Sequence, residues 1–191
     1  MEYIRVAAHS LLLIILSTPL YLNAATESGI AFAKTISRDN NTLVLNSTGT
    51  RAFWFIPIYA AALYLPDKNT NAEEIINSDA NKQIVMHFLY KKVSKKRLLS
   101  TLDKGFSDNL DQATLAALAP KIDQLKSLFK TVVKGDRIIL DYSPIIGTRL
   151  FLNNELQGTI TGKAFHQATF RVWLGDKPAD ATLKKQLLNQ N

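Results

Sequence analysis

The 191-residue sequence contains no cysteine, which excludes disulfides, thiolate metal sites, a thiol nucleophile and a lipid anchor on an N-terminal cysteine. Histidine is nearly as scarce, with three. His9 lies in the first apolar stretch, while His87 and His166 have no ligand partner at i+2, i+3 or i+4, so no metal site is expected. The nucleotide-binding patterns GxGxxG and GxxxxGK[ST] are absent, as are a G-x-S-x-G nucleophile setting and a recognisable pair of carboxylates. No cofactor and no catalytic constellation is expected from these residues.

A long apolar run is missing too. The strongest one, Leu11 to Leu16, is bounded by His9, Ser10, Ser17, Thr18 and Pro19, well short of the roughly 20 apolar residues of a membrane span. With Arg5 before it and the small Ala24 after it, the segment reads as an export signal over residues 1–24. Residues 25–191 then form a single domain, placed most simply in a bacterial periplasm. Lysine and arginine number 23 against 16 acids, a net charge of +7. Export removes nucleic acid as the partner for that charge, which leaves an anionic membrane surface or a small acid.

Alternating apolar and β-branched runs predict strands over 30–36, 43–48, 53–65 and 82–90, and again over RIILDYS, TRLFLN and LQGTITG, with Asn153-Asn154 as a hairpin turn. Helices are expected from a Thr70/Glu73 capping box through Ile76, from Ser94 through Phe106, and from Asp111 or Thr114 to Phe129, with Pro120 breaking or kinking the last of these. Lys163 to Leu174 and a final segment capped by Asp180 complete the set. Strands in hairpins with helices in the middle and at the end describe an α+β domain, an antiparallel sheet with helices on one face.

Two segments stand out chemically. In GTRAFWFIPIYAAALYLP, Gly49 to Pro66, an arginine heads a run of apolar residues that holds two tyrosines. On one straight strand Arg51 and Tyr59 would stand about 26 Å apart. They can share a ligand only if the chain reverses between them or a bulge near Pro57 bends it. Both faces of the run are apolar, so both should be covered, and Ala60 to Ala62 leave room for a packed helix or a ligand. The second segment, YKKVSKKR, sets five cations around Ser94 at a helix start, where backbone N–H groups and the helix dipole would suit an anion; a solvated basic face is the plainer reading.

The string G-T-R-x5-P-I-Y-A-A-A-L-Y-L-P, then FLYKKVSKKRLLSTLDKGF, GD…LDYSP…GT and G-K-A-F-x4-F-R-V-W-L-G-D-x-P together resemble the bacterial branch of the chalcone isomerase-like proteins, from Thr42 to Leu188. The resemblance implies an open-faced β-sandwich in which helices lie against a large antiparallel sheet and leave a ligand cleft. It also implies a fatty acid or similar amphipathic acid as ligand, with Arg51, Tyr59 and Tyr90 as ligand-binding residues. Tyr59 falls where the isomerases have a catalytic threonine and the fatty-acid binders a tyrosine, and Lys95, Lys96 and Arg97 stand where the isomerases have an asparagine. These departures favour a non-catalytic binder, its tail near Phe53, Phe55 and Ala60 to Ala62, over an isomerase of chalcone isomerase type. An interaction module with a sealed core is the third reading.

Overall fold

The structure is a computed structural model and describes residues 24–190; the export-signal reading lies outside the described residues, apart from Ala24. Four hairpins with two-residue turns set the topology. Strand β1 (Ala24–Glu27) returns as β2 (Ile30–Ala33), and β3 (Thr35–Arg38) returns as β4 (Asn41–Phe53). Strand β4 in turn pairs with β5 (Ile56–Leu65). Their turns take positive φ at Ser28-Gly29, at Asp39-Asn40 and at Trp54. The first two pairs have residue types that tolerate the left-handed conformation; the third does not.

Helix α1 (Ala72–Asn77) leads to β6 (Lys82–Phe88), followed by the short β7 (Lys92–Val93), helices α2 (Lys95–Asn109) and α3 (Gln112–Leu128), and β8 (Val132–Val133), which pairs with β7. Strands β9 (Arg137–Ser143), β10 (Gly147–Leu152) and β11 (Glu155–Ile160) come next, with Asn153 and Asn154 at positive φ in the last turn. Helices α4 (Lys163–Leu174) and α5 (Ala181–Leu187) close the described chain. The main sheet has seven strands in the order β11-β10-β9-β6-β5-β4-β3, every pair antiparallel.

Side-chain alternation assigns the two faces. Tyr59, Ala61, Leu63 and Leu65 of β5 join Ile84, Met86 and Phe88 of β6 in the larger core, together with Leu102 and Phe106 of α2, Ile122 and Leu125 of α3, and Phe165, Phe170 and Trp173 of α4. Ala60, Ala62 and Tyr64 face the other way, with Leu43, Leu45, Val85 and Phe151, and are capped by Phe32 of the β1-β2 ribbon. The same face carries an ion cluster in which the buried Arg149 bonds both the buried Asp141 and the exposed Asp39. Both faces of β5 are therefore covered, as its two-sided apolarity requires.

Several boundaries differ from the sequence reading. The 30–36 strand is split at Lys34, because β2 joins the small ribbon and β3 the main sheet. The 53–65 strand is interrupted at Trp54-Phe55, where the chain turns back, and its apolar character concealed the turn. The N-cap of α1 is Asn71, whose side chain accepts from the N–H groups of Glu73 and Glu74, rather than Thr70. Pro120 does not break α3, which runs through it.

Candidate functional site

The β4-β5 hairpin solves the distance problem posed by Arg51 and Tyr59. The two residues are direct cross-strand partners, and the register shifts between Arg51/Tyr59 and Ala52/Pro57, leaving Ile58 as an inserted residue. Both routes that the spacing left open, a reversal and a bulge near Pro57, are therefore used together. A bulge turns side chains and leaves backbone groups off the ladder. Here the Ile58 carbonyl accepts from the N–H groups of Leu89, at 2.9 Å, and Tyr90, at 3.1 Å. That contact ties the segment after β6 to the bulge and brings Tyr90 beside Arg51 and Tyr59.

These three residues line one cavity of about 540 Å³ between the β4-β5 hairpin, the 88–93 segment, the first turns of α2 and the loop before α5. The volume is within the roughly 300–1,000 Å³ of typical small-molecule clefts. Its apolar wall comes from Phe53, Ile56, Ile58, Phe88, Val93 and Leu98, and its polar side from Arg51, Lys92, Arg97, Lys104 and Asp180. Lys104 is paired with Asp108 at 2.7 Å. Among the described residues, no carboxylate lies within ion-pair distance of Arg51, Lys92 or Arg97. Asp180 accepts from the Leu183 N–H as the cap of α5.

Tyr59 is only 3% exposed. Its ring packs edge-on against Phe88 and lies under the Arg51 guanidinium, whose carbon is 5.9 Å from the ring centroid. The Trp173 indole N–H donates to the Tyr59 hydroxyl oxygen at 3.1 Å. An indole only donates, whereas a phenol both donates and accepts. Trp173 therefore fills an acceptor position of Tyr59, and the Tyr59 proton remains to be donated. Burial pushes the Tyr59 hydroxyl above its ordinary pKa, outweighing the opposing pull of Arg51, so that proton is held at neutral pH. A fixed cation beside a neutral O–H donor is a recognition pair for a carboxylate.

Of the five cations of YKKVSKKR, Lys92 and Arg97 line the cavity, whereas the Lys95 ammonium donates to the Ser127 carbonyl, and the backbone of that helix start is already engaged. Ser94 accepts from the Arg97 N–H, and the Lys95 N–H donates to Thr131 Oγ1 at 3.1 Å. The Arg97 guanidinium lies over the Phe53 ring, 5.2 Å from its centroid.

Other expected contributors lie elsewhere. Phe55 is 95% exposed at the hairpin tip, and Ala60 to Ala62 are buried in the two cores, so none of them lines the cavity. Tyr64 donates to the Ala33 carbonyl of the β1-β2 ribbon at 2.9 Å. Sequence reasoning missed Lys104 and Trp173 and read Asp180 only as a helix cap. His87 is half-buried, and burial lowers its pKa; His166 is buried in α4, and among the described residues no group of side chains is arranged to hold a metal.

A family model described as chalcone isomerase-like matches residues 24–189. Comparison with curated proteins gives no sequence match. Among solved structures, a fatty-acid binding protein of Arabidopsis thaliana superposes with a TM-score of 0.69 at 13% identity, covering 87% of this chain and 96% of that one. At that identity the likeness establishes the fold: a large antiparallel sheet backed by helices.

Proposed function

The chain belongs to the chalcone isomerase-like family, and from that premise we propose that it is a non-catalytic, periplasmic binder of a fatty acid or similar amphipathic carboxylate. The observation that carries the reading is the pairing of Arg51 with a Tyr59 hydroxyl whose proton is left to donate, in the wall of a largely apolar cavity. The carboxylate sits against Arg51 and accepts from Tyr59, and the alkyl chain lies along Ile56, Ile58, Val93 and Leu98. Tyr90, 41% exposed, stands at the mouth. That a fatty-acid binding protein shares the fold supports the ligand class, and the net charge of +7 suits an anionic ligand and an anionic lipid surface.

An isomerase would use Arg51 to stabilise an enolate, but it also needs a group to position the reacting phenolate. The first turn of α2 offers Lys95, Lys96 and Arg97 in place of the asparagine that the isomerases have. The cavity beside Tyr59 also removes the ground for a sealed interaction module. The test is calorimetric titration with a long-chain fatty acid. Arg51→Ala should weaken binding tenfold or more, as expected for a charge-assisted hydrogen bond worth about 1.5–3 kcal/mol. Unchanged affinity in Arg51→Ala would refute this assignment, and chalcone cyclisation well above the spontaneous rate, lost in the same variant, would restore the enzyme.

A further inference from the structure

The β4-β5 hairpin ends in Phe53-Trp54-Phe55-Ile56, four consecutive large apolar residues with exposures of 55%, 82%, 95% and 50%. Runs of this kind on a surface are errors of patterning unless they serve a function. The other two-residue turns of the described chain use Ser-Gly, Asp-Asn and Asn-Asn. This one holds Trp54 at a φ of 58°, a conformation that bulky residues avoid and that primed turns give to Gly or Asn. The strained turn holds an indole and a phenyl ring out in solvent, where the two cores cannot reach them.

What surrounds the tip identifies what it meets. Phe53 and Ile56 belong at once to the tip and to the cavity wall, and Lys92 and Arg97 share that wall. Arg97 stacks over Phe53. Lys91, Lys95 and Lys96 flank Lys92 and Arg97 along the chain, and Lys134 is tied to Lys91 through its backbone N–H. An aromatic wedge beside a cluster of cations is the arrangement that inserts at a bilayer interface, with rings at headgroup depth and cations over anionic lipid. No helix among the described residues is long and apolar enough to cross a membrane, so contact by a surface wedge is consistent with the rest of the fold.

We propose that the hairpin tip, centred on Trp54 and Phe55, docks this protein onto an anionic membrane surface with the mouth of the Arg51–Tyr59 cavity facing the lipid, so that the amphipathic acid passes directly between bilayer and cleft. The passage rests on the ligand assignment above, and the docking does not. A continuous apolar path from tip to cavity spares the alkyl chain an excursion through water, which makes transfer dependent on collision with the membrane.

The experiment compares the purified protein with a Trp54→Gly/Phe55→Ser variant on vesicles of phosphatidylcholine alone and of phosphatidylcholine mixed equally with phosphatidylglycerol. Neither residue lines the cavity, and glycine suits the φ of the turn, so the fold and the fatty-acid affinity in solution should be retained. Trp54 emission should shift to the blue and be quenched by brominated acyl chains on the anionic vesicles. Trp173 is buried and should not respond. The variant should lose vesicle binding at least tenfold and transfer fatty acid to acceptor vesicles more slowly. Lys96→Glu should weaken binding about fivefold or more, from the roughly 1 kcal/mol that each surface cation contributes, and added salt should do the same.

Absence of vesicle binding by the unmodified protein, or equal binding by the double variant, would overturn the proposal. Concentration-dependent dimerisation abolished by the double variant, without vesicle binding, would instead assign the tip to a second copy of the chain. Loss of fatty-acid binding in Arg51→Ala with vesicle docking intact would support both readings. Docking without any fatty-acid binding would retain the membrane contact and remove the cargo.

Discussion

Tyr59 has two hydrogen-bonding duties, and removing its oxygen separates them. In Tyr59→Phe the Trp173 N–H loses its acceptor inside the core, which costs on the order of 1–3 kcal/mol, and a bound carboxylate loses a donor. The expected outcome is a lower denaturation midpoint together with weaker fatty-acid binding, read by urea unfolding and by titration on the same preparation. In Arg51→Ala binding should weaken while the midpoint moves little, because Arg51 makes no ion pair among the described residues. The contrast distinguishes a residue serving both fold and ligand from one serving the ligand. Arg51 and Tyr59 could be singled out from their chemistry in the sequence, and Tyr90 only through the family resemblance. The Trp173 donor could not, because it lies 114 residues from Tyr59 and only the packing of α4 against the sheet brings the two together.

Elements whose ends carry side-chain signals were the legible ones. Ser94, Asp111 and Asp180 cap α2, α3 and α5, and Asn153-Asn154 makes its turn, because short polar side chains mark such positions locally. The β4-β5 turn was illegible for the converse reason: Trp54 and Phe55 carry no turn chemistry, and their hydrophobicity continues the strand pattern. If Trp54 is held against its preference, Trp54→Gly should leave the folded state as stable or raise its stability by up to about 1 kcal/mol, the relief of left-handed strain exceeding the added chain entropy. A clear loss in the denaturation midpoint would mean that the indole packs on the protein.

Helix α4 carries a second element-level consequence. His166 is buried and stacked on Tyr142 at 3.6 Å between ring centroids, and neither ring nitrogen has a hydrogen-bond partner among the described residues. Burial, reinforced by the charge of Lys82, lowers its pKa to about 3 from an ordinary 6.5. Between those values the unfolded chain binds a proton that the folded protein refuses, so stability is full above pH 6.5 and declines as pH falls toward 3. The effect is on the order of a few kcal/mol. His166→Phe, which keeps the stack, should flatten this acid slope in unfolding free energy measured against pH. An unchanged slope would assign the acid sensitivity to the carboxylates alone.

On the scale of the whole molecule, the open-faced sandwich uses its two sheet faces differently. One carries the β1-β2 ribbon and the Arg149 cluster, and the other is backed by helices that leave the cavity at the end where the hairpin protrudes. The α+β class followed from strand alternation and from strands set in hairpins with helices in the middle and at the end. The cavity did not, since filled and hollow cores share the same apolar pattern. A ligand held only by the folded state adds about 2.7 kcal/mol to stability when present at a hundred times its Kd. A saturating fatty acid should therefore raise the melting temperature by several degrees, and Arg51→Ala should reduce that rise.

The most direct measurement is native mass spectrometry of the protein purified from the cell compartment it occupies, followed by solvent extraction and identification of what it carries. The prediction is a long-chain carboxylic acid bound one to one, absent from the Arg51→Ala protein isolated in parallel. A clean apo mass that added fatty acids do not change would contradict the central claim.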